Sequence, residues 1–239
     1  NSEKNYTIRA NASFNKNKVE NIGLGRPLNY GGLNNGWTAT QTLDGQPIGS
    51  FWVYKTDGIF QNQSEIDAYP HVPNTQPGDF KLLDINGDLV IDSKDRQHVG
   101  SYQPKVTLGV NQTFNYKNFD FSLDLYGVAG NKVYNAKKGV RYGGNYNIEY
   151  EVAMNRWQPG SNENKYPRAF NGVPYPSDYF IESGAYLKIS DVTVGYNLAK
   201  LFKWSKFSVF RAYVSAQNPY ILTGYTGFTP ELPGNQNEA

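Results

Sequence analysis

Residues 6–15 read Tyr6-Thr7-Ile8-Arg9-Ala10-Asn11-Ala12-Ser13-Phe14-Asn15. Apolar and polar side chains alternate without a break, the period of a β-strand with one apolar and one polar face. A strand of this length is unusual in a water-soluble domain, where about five or six residues is typical, and it matches the roughly 9–11 that cross a membrane. Taken alone, the segment also fits a surface strand of a soluble sandwich.

The same pattern returns four times. Val106, Leu108, Val110, Phe114 and Tyr116 form one face of a second strand, interrupted only by Gln112, while Thr107, Asn111, Thr113 and Asn115 form the other. Lys117-Asn118 is predicted as a tight turn. Phe119, Phe121, Leu123, Leu125 and Gly127 then alternate with Asp120, Ser122 and Asp124. A fourth strand is expected over Tyr186–Leu198, with Val192, Val194, Tyr196 and Leu198 on its apolar face. A fifth carries Phe210, Ala212, Val214 and Ala216 against Arg211, Tyr213, Ser215 and Gln217, although Phe207 and Val209 fall on the wrong face.

The connections are lopsided. Those at Lys117-Asn118 and around Lys203-Trp204-Ser205 are short, whereas 17–105 and 130–185 are long and rich in Gly, Asn, Tyr and Pro. Outer-membrane barrels share this asymmetry, with short periplasmic turns and long outer loops. Aromatic residues gather at strand ends (Tyr6, Phe14, Phe114, Tyr116, Phe119, Tyr126, Tyr186 and Tyr196), where interfacial girdles sit. The reading is all-β: strands of an antiparallel transmembrane β-barrel with long extracellular loops. Five such strands cannot close a barrel, since the smallest have about eight, so the sequence is expected to be a portion of one.

Composition narrows the function. Aromatics make up 15% of the 239 residues and charged residues 18%, which argues against disorder. A net charge of +2 gives no polybasic surface, so no nucleic-acid partner is expected. The absence of cysteine excludes disulfides, zinc–thiolate sites and a thiol nucleophile, and His71 and His98 are the only histidines. No nucleophile elbow, His-Glu-x-x-His or phosphate-binding loop is present, so no enzyme and no catalytic residues are expected. Glu149 and Glu151 read as solvated loop carboxylates. The Asn-x-Ser/Thr triplets at Asn5, Asn11 and Asn111 read as strand chemistry; the triplet at Asn62 lies in a loop and carries no weight by itself.

One loop has metal-ligand spacing. In Asp84–Asp95, side-chain oxygens recur at Asp84, Asn86, Asp88, Asp92 and Asp95, positions 1, 3, 5, 9 and 12 of twelve, with the Val90 carbonyl at position 7. Calcium takes about six to eight hard oxygens, and such spacing wraps a short loop around one ion. Leu89 stands where the usual loop has Gly, and Asp95 is shorter than the usual bidentate Glu. A structural calcium ion is expected; the competing reading is an Asx-rich turn that caps itself.

Several segments resemble the SusC/RagA class of TonB-dependent outer-membrane transporters. They are Phe51–Gln61, Pro77-Gly78-Asp79 leading into Asp84–Asp88 and Asp95-Arg96, and the hairpin Asn115–Asp120. The resemblance continues in Trp157-Gln158-Pro159, Tyr166-Pro167-Arg168, Ser177-Asp178-Tyr179, Tyr186-Leu187-Lys188, Gln217-Asn218 and Gly224–Glu231. It implies a large barrel of about 22 strands with a plug in its lumen, of which residues 1–239 would be the C-terminal portion, without the plug domain and the final strand. It further implies active import of oligosaccharides or peptides across the outer membrane of a Gram-negative bacterium. The partners would be a SusD/RagB-like surface lipoprotein, the TonB complex acting through the N-terminal part, and outer-membrane lipid. Nothing in the residues chooses the substrate, so the substrate-binding residues stay unassigned. A soluble, calcium-stabilised all-β binding module and a passive porin are the alternatives.

Orientation follows from the turns. With the two short connections periplasmic, 17–105 and 130–185 are expected outside the cell. Arg9, Asn11, Ser13, Asp120, Ser122, Asp124, Arg211 and Gln217 are then expected to face the lumen.

Overall fold

The computed structural model describes residues 4–23, 25–32, 37–141, 147–161, 165–169, 175–199 and 210–231. The strands are β1 (Lys4–Phe14), β2 (Leu28–Gly32), β3 (Thr38–Thr42), β4 (Ser50–Tyr54), β5 (Thr56–Ile59), β6 (Phe80–Leu82) and β7 (Arg96–Ser101). They continue with β8 (Val106–Tyr116), β9 (Phe119–Ala129), β10 (Lys132–Tyr134), β11 (Ile181–Ser183), β12 (Tyr186–Asn197) and β13 (Arg211–Thr223). Three short α-helices, α1 (Gln63–Asp67), α2 (Ala136–Arg141) and α3 (Tyr150–Asn155), and two 3-10 turns at Ser93–Asp95 and Asp178–Phe180 complete the regular structure among the described residues. The chain divides into two compact units, one of 1–16, 104–131 and 184–224 and the other of 17–103, 132–183 and 225–239.

The first unit is one antiparallel sheet in the order β1-β8-β9-β12-β13. Its strands are 11, 11, 11, 12 and 13 residues long, each enough to cross a bilayer. Residues directly opposite across a ladder project to the same side. Tyr6, Phe114, Phe121, Val194 and Val214 therefore share one face, as do Ala10, Val110, Leu125, Ile189 and Tyr220. Arg9, Asn111, Asp124, Asp191 and Gln217 form a transverse row on the other. The eight residues expected on the polar face all lie there.

Gln112 is the one amide on the apolar face, and Tyr6 Oη donates to its Oε1 at 2.9 Å. At ~4.8 Å between strands and ~3.3 Å rise per residue, the apolar face covers on the order of 24 by 36 Å. Soluble monomers rarely expose more than a few hundred Å² of contiguous apolar surface. Phe14, Ile8, Val214, Tyr220 and Leu222 are all exposed on it.

The alternation is reset once. Ile189 pairs with Leu125 and Asp191 with Asp124, leaving Ser190 without a partner on β9. Across the other ladder, Ile189 pairs with Tyr220 and Asp191 with Gln217, so Asn218 and Pro219 stand opposite Ser190. This bulge keeps both Ile189 and Val192 on the apolar face despite their odd separation. It also lets β13 continue to Thr223, past the expected end at Gln217, with Asn218 at φ 49° and Pro219 tolerated on an edge strand. Phe207 and Val209 lie outside the described residues. The Lys117-Asn118 turn forms as expected, with Lys117 at φ 55°.

The second unit was expected only as long connections, yet it holds eight strands. β2, β3, β4 and β7 form an antiparallel sheet, while β5–β6 and β10–β11 are two-stranded ladders. Its core gathers Ala39, Phe51, Val53, Tyr134 and Phe180, with Phe80, Val99, Tyr102, Tyr179 and Ile181 packed against them. Tyr54, Leu82 and Ile91 form a second cluster. β4 is buried on both faces, so after Ser50 its sequence Phe51–Tyr54 is an apolar run without alternation. Four of its five residues are almost fully covered. Arg96 ties this sheet from inside: Nε donates to the Trp52 carbonyl at 2.9 Å and an Nη to the Thr38 carbonyl at 2.6 Å. Burial lowers the Arg96 pKa.

Candidate functional site

On the polar face of the sheet unit, charges are arranged by the strand register. Arg211 grips Asp120 with two nitrogens, at 2.9 and 2.6 Å. The pair spans β12 above Gly195, where an added Cβ would stand 2.5 Å from both Asp120 oxygens. Asn11 similarly lies over Gly109, where a Cβ would meet its Oδ1 at 2.7 Å. Asn111 Nδ2 donates to Asp124 Oδ1. Around them Arg9, Asn11, Asn111, Asp124, Tyr126 and Ser190 line an open hollow of about 520 Å³.

The six proposed calcium ligands lie in one loop of the second unit, where most of their side chains turn to backbone amides. Asp84 accepts from the Gly87 and Leu89 N–H groups at 2.7 and 2.8 Å. Asn86 accepts from Asp88 N–H and donates its amide to Asp88 Oδ2, both at 2.9 Å. Asp88 accepts from Val90 N–H at 3.0 Å, and Asp92 from Lys94 N–H at 2.7 Å. Asp95 is fully buried and accepts from the Ile85 and Asp92 N–H groups. Leu89, at position 6, has φ 64°, the left-handed conformation that Gly normally supplies there. Among the described residues no three His, Asp or Glu side chains converge as a metal cage.

A second polar cluster carries no sequence signal. Glu182 accepts from Thr226 N–H and Oγ1 at 2.8 and 2.7 Å, from Asn135 Nδ2 at 2.9 Å and from Lys138 Nζ at 2.7 Å. Its burial raises the carboxyl pKa, but the donors from Lys138, Thr226 and Asn135 outweigh that and leave it below the ordinary value. Next to it, Lys137 pairs with Glu149 at 2.9 Å and Lys165 with Glu151 at 2.7 Å. Glu151 is solvent-exposed as expected and pairs at the surface, while Glu149 is partly covered in its pair. They border a hollow of about 270 Å³ that Tyr166 and Tyr179 also line.

A third group joins segments far apart in sequence. Arg168 grips Asp79 at 2.6 and 3.2 Å, and Trp157 Nε1 donates to Gln61 Oε1 at 2.9 Å. Gly78, at φ 91°, lies so close under Trp157 that a Cβ would meet the ring at 2.4 Å. Thr56 is held through its N–H and hydroxyl by Asp178 at 3.0 and 2.7 Å.

No protein-family model matches the chain. It is 27% identical over 231 residues to TonB-dependent receptor P3 of Formosa agariphila, a match covering 95% of this chain and 23% of that protein. TonB-dependent receptor P26 of the same organism is 33% identical over 165 residues, and TonB-dependent receptor SusC of Bacteroides thetaiotaomicron is 30% identical over 165. Each of these two matches covers 66% of this chain and 16% of the relative. The chain is part of a SusC-like TonB-dependent transporter. It spans about a quarter or less of the length of these curated relatives. The solved structure of the RagAB peptide transporter has the same fold over 97% of this SusC-like chain and 25% of its own, with a TM-score of 0.73 at 21% identity. The five long strands are therefore barrel strands, and the clasp of Gly78, Asp79, Trp157 and Arg168 joins segments that carried the resemblance.

Proposed function

We propose that the chain supplies C-terminal wall strands and outer loops to an importer in the outer membrane of a Gram-negative bacterium. The importer is energised through TonB and takes up oligosaccharides or peptides with a SusD/RagB-like surface lipoprotein. The observation that carries this reading is the sheet of β1, β8, β9, β12 and β13. It is long enough to cross a bilayer, apolar over one face and polar over the other. In this reading the apolar face meets lipid, the polar face meets the lumen, and the second unit lies outside the cell. The relatives named TonB-dependent receptors support the energy source, and the RagAB fold supports the lipoprotein partner.

The test is uptake by cells carrying the full-length protein, with and without TonB. Uptake that stops when TonB is removed supports the importer. Uptake that continues makes the protein a passive porin, and recovery of the protein in the soluble fraction would leave only a binding module.

The Asp84–Asp95 loop is proposed as a structural calcium loop, with side-chain oxygens from Asp84, Asn86, Asp88, Asp92 and Asp95 and the Val90 carbonyl. Its support is the ligand spacing and the left-handed backbone at Leu89. Bound calcium would offset two of the four neighbouring negative charges and stiffen an outer loop.

A further inference from the structure

The apolar face of the sheet carries a single charged side chain among the described residues, and it stands at the edge. Lys4, Tyr116, Phe119, Tyr196 and Ala212 form the last row of that face, on the side of the Lys117-Asn118 turn. The next row inward is Tyr6, Phe114, Phe121, Val194 and Val214, and beyond it the face is mainly aliphatic. The Phe114 ring centroid lies 6.4 Å from those of both Tyr6 and Phe119. A band of aromatic rings at the rim of an aliphatic surface marks the depth where hydrocarbon gives way to headgroups.

Two ammonium groups converge on one ring of this band. Lys4 Nζ and Lys117 Nζ each lie 5.2 Å from the centre of the Tyr116 ring. Lys117 belongs to the turn, and its exposed side chain bends back over the apolar side. The acidic groups near this edge do not offset the pair. Asp120 follows Phe119 but projects to the opposite face, where Arg211 holds it. Glu3 precedes Lys4 in the sequence and lies outside the described residues; counted against Lys4, it still leaves Lys117. The connection from Asn197 to Arg211 leaves the same edge, and its only ionisable residues are Lys200, Lys203 and Lys206. These three also lie outside the described residues and are no part of the site.

We propose that Lys4, Lys117 and Tyr116 form a headgroup site for a phospholipid of net negative charge. Its phosphate sits between the two ammonium groups, and its acyl chains run along Phe114, Phe121 and Val194. Ammonium groups take phosphate oxygens as point charges, and lysines at a membrane surface favour anionic lipid. The Tyr116 hydroxyl adds a donor at the same depth. A phosphatidylcholine or phosphatidylethanolamine headgroup brings its own cation, which the lysines repel; phosphatidylglycerol brings none. The proposal rests on the membrane part of the importer reading, with the apolar face against lipid and the short turns periplasmic, so the lipid belongs to the inner leaflet. Its role is to fix the height of these strands in the bilayer.

The experiment gives the purified full-length transporter an equimolar mixture of phosphatidylglycerol and phosphatidylcholine in detergent and counts the retained lipids by mass spectrometry. Wild type should prefer phosphatidylglycerol, with each lysine contributing roughly fivefold. Lys4→Gln and Lys117→Gln should each lose about that factor, and the double variant both. Lys4→Arg with Lys117→Arg should keep the preference, and Lys105→Gln, at the opposite edge of the sheet, should not change it. Unchanged heat-modifiable migration on gels shows that the barrel still folds. A wild type without preference, a preference that survives the double variant, or an equal loss in Lys105→Gln would overturn the proposal. So would displacement of the lipid by free glycerol phosphate, which marks a site for a soluble anion, or a stronger preference for lipid A, which marks the outer leaflet. Failure of the importer reading shows separately, as uptake that survives removal of TonB.

Discussion

Arg211 reaches Asp120 across an intervening strand, and it can do so because residue 195 between them has no side chain. The pair is partly exposed, so solvent screening keeps its contribution small. Gly195→Val should remove that contribution and add a steric term, since the new Cβ would occupy the gap. A double-mutant cycle with Asp120→Asn, read from denaturation midpoints of the folded barrel, should give clearly less than additive losses. Additive losses would mean that Gly195 serves the sheet in some other way.

Leu123 and Asp124 are neighbours in sequence and lie on opposite faces. If Leu123 meets lipid, Leu123→Arg should cost about 2–4 kcal/mol near the bilayer midplane, and Asp124→Arg far less. Folding yields in lipid vesicles of the full-length protein measure both. Equal tolerance would contradict the assigned faces.

The Glu182 network should respond to acid. Its folded carboxyl lies below the ordinary Glu value, so its contribution is present above the unfolded pKa, about 4.3, and is lost as pH falls through the folded one. Protection of the Thr226 amide, its exchange rate relative to the intrinsic rate at the same pH, should therefore be high near neutrality and fall once the pH drops below about 4.3. Glu182→Gln should give faster exchange at neutral pH and flatten this dependence. An acid response equal to wild type in that variant would move the titrating group elsewhere.

Leu89 occupies a backbone conformation that costs a side-chain-bearing residue about 1–2 kcal/mol. Leu89→Gly should thus leave the loop at least as stable, and it should tighten calcium binding if the loop takes the ion. Calorimetry after chelator treatment, with Asp88→Ala as the comparison, reads this out. Identical featureless titrations for wild type and both variants would favour the self-capped turn.

The sheet was legible because each of its strands is solvated differently on its two faces, so the period of two runs through Tyr6–Phe14 and Val106–Tyr116 almost unbroken. The reading faltered where that period was reset. Pro219 reads in the sequence as the end of the strand, and only the pairing of Ile189 with Tyr220 beyond it reveals that the strand continues. The second unit stayed hidden for the opposite reason. β4 is covered on both sides and alternates nothing, and β6, β10 and β11 are only three residues long, too short for any periodicity.

The polar sites divide along the same line. The Asp84–Asp95 loop was visible because its partners are local, within eleven residues of one another. Glu182 was not, since Thr226 and Asn135 lie 44 and 47 residues away. Nothing in Ile181-Glu182-Ser183 marks the carboxylate as the centre of a network. The ion pairs of Glu149 and Glu151 were invisible similarly, because Lys137 and Lys165 come to them only in three dimensions.

The antiparallel order β1-β8-β9-β12-β13 also fixes a parity. With five strands alternating in direction, β1 and β13 point the same way, so this sheet cannot curl round and join its own borders without a parallel seam. Any closed ring that keeps every neighbour antiparallel must add an odd number of strands between those borders. During assembly this guards against error: the two free edges are mismatched to each other, and each can be completed only by a strand running the opposite way. A premature miniature ring is thereby excluded, and the sheet stays open until the correct complement arrives.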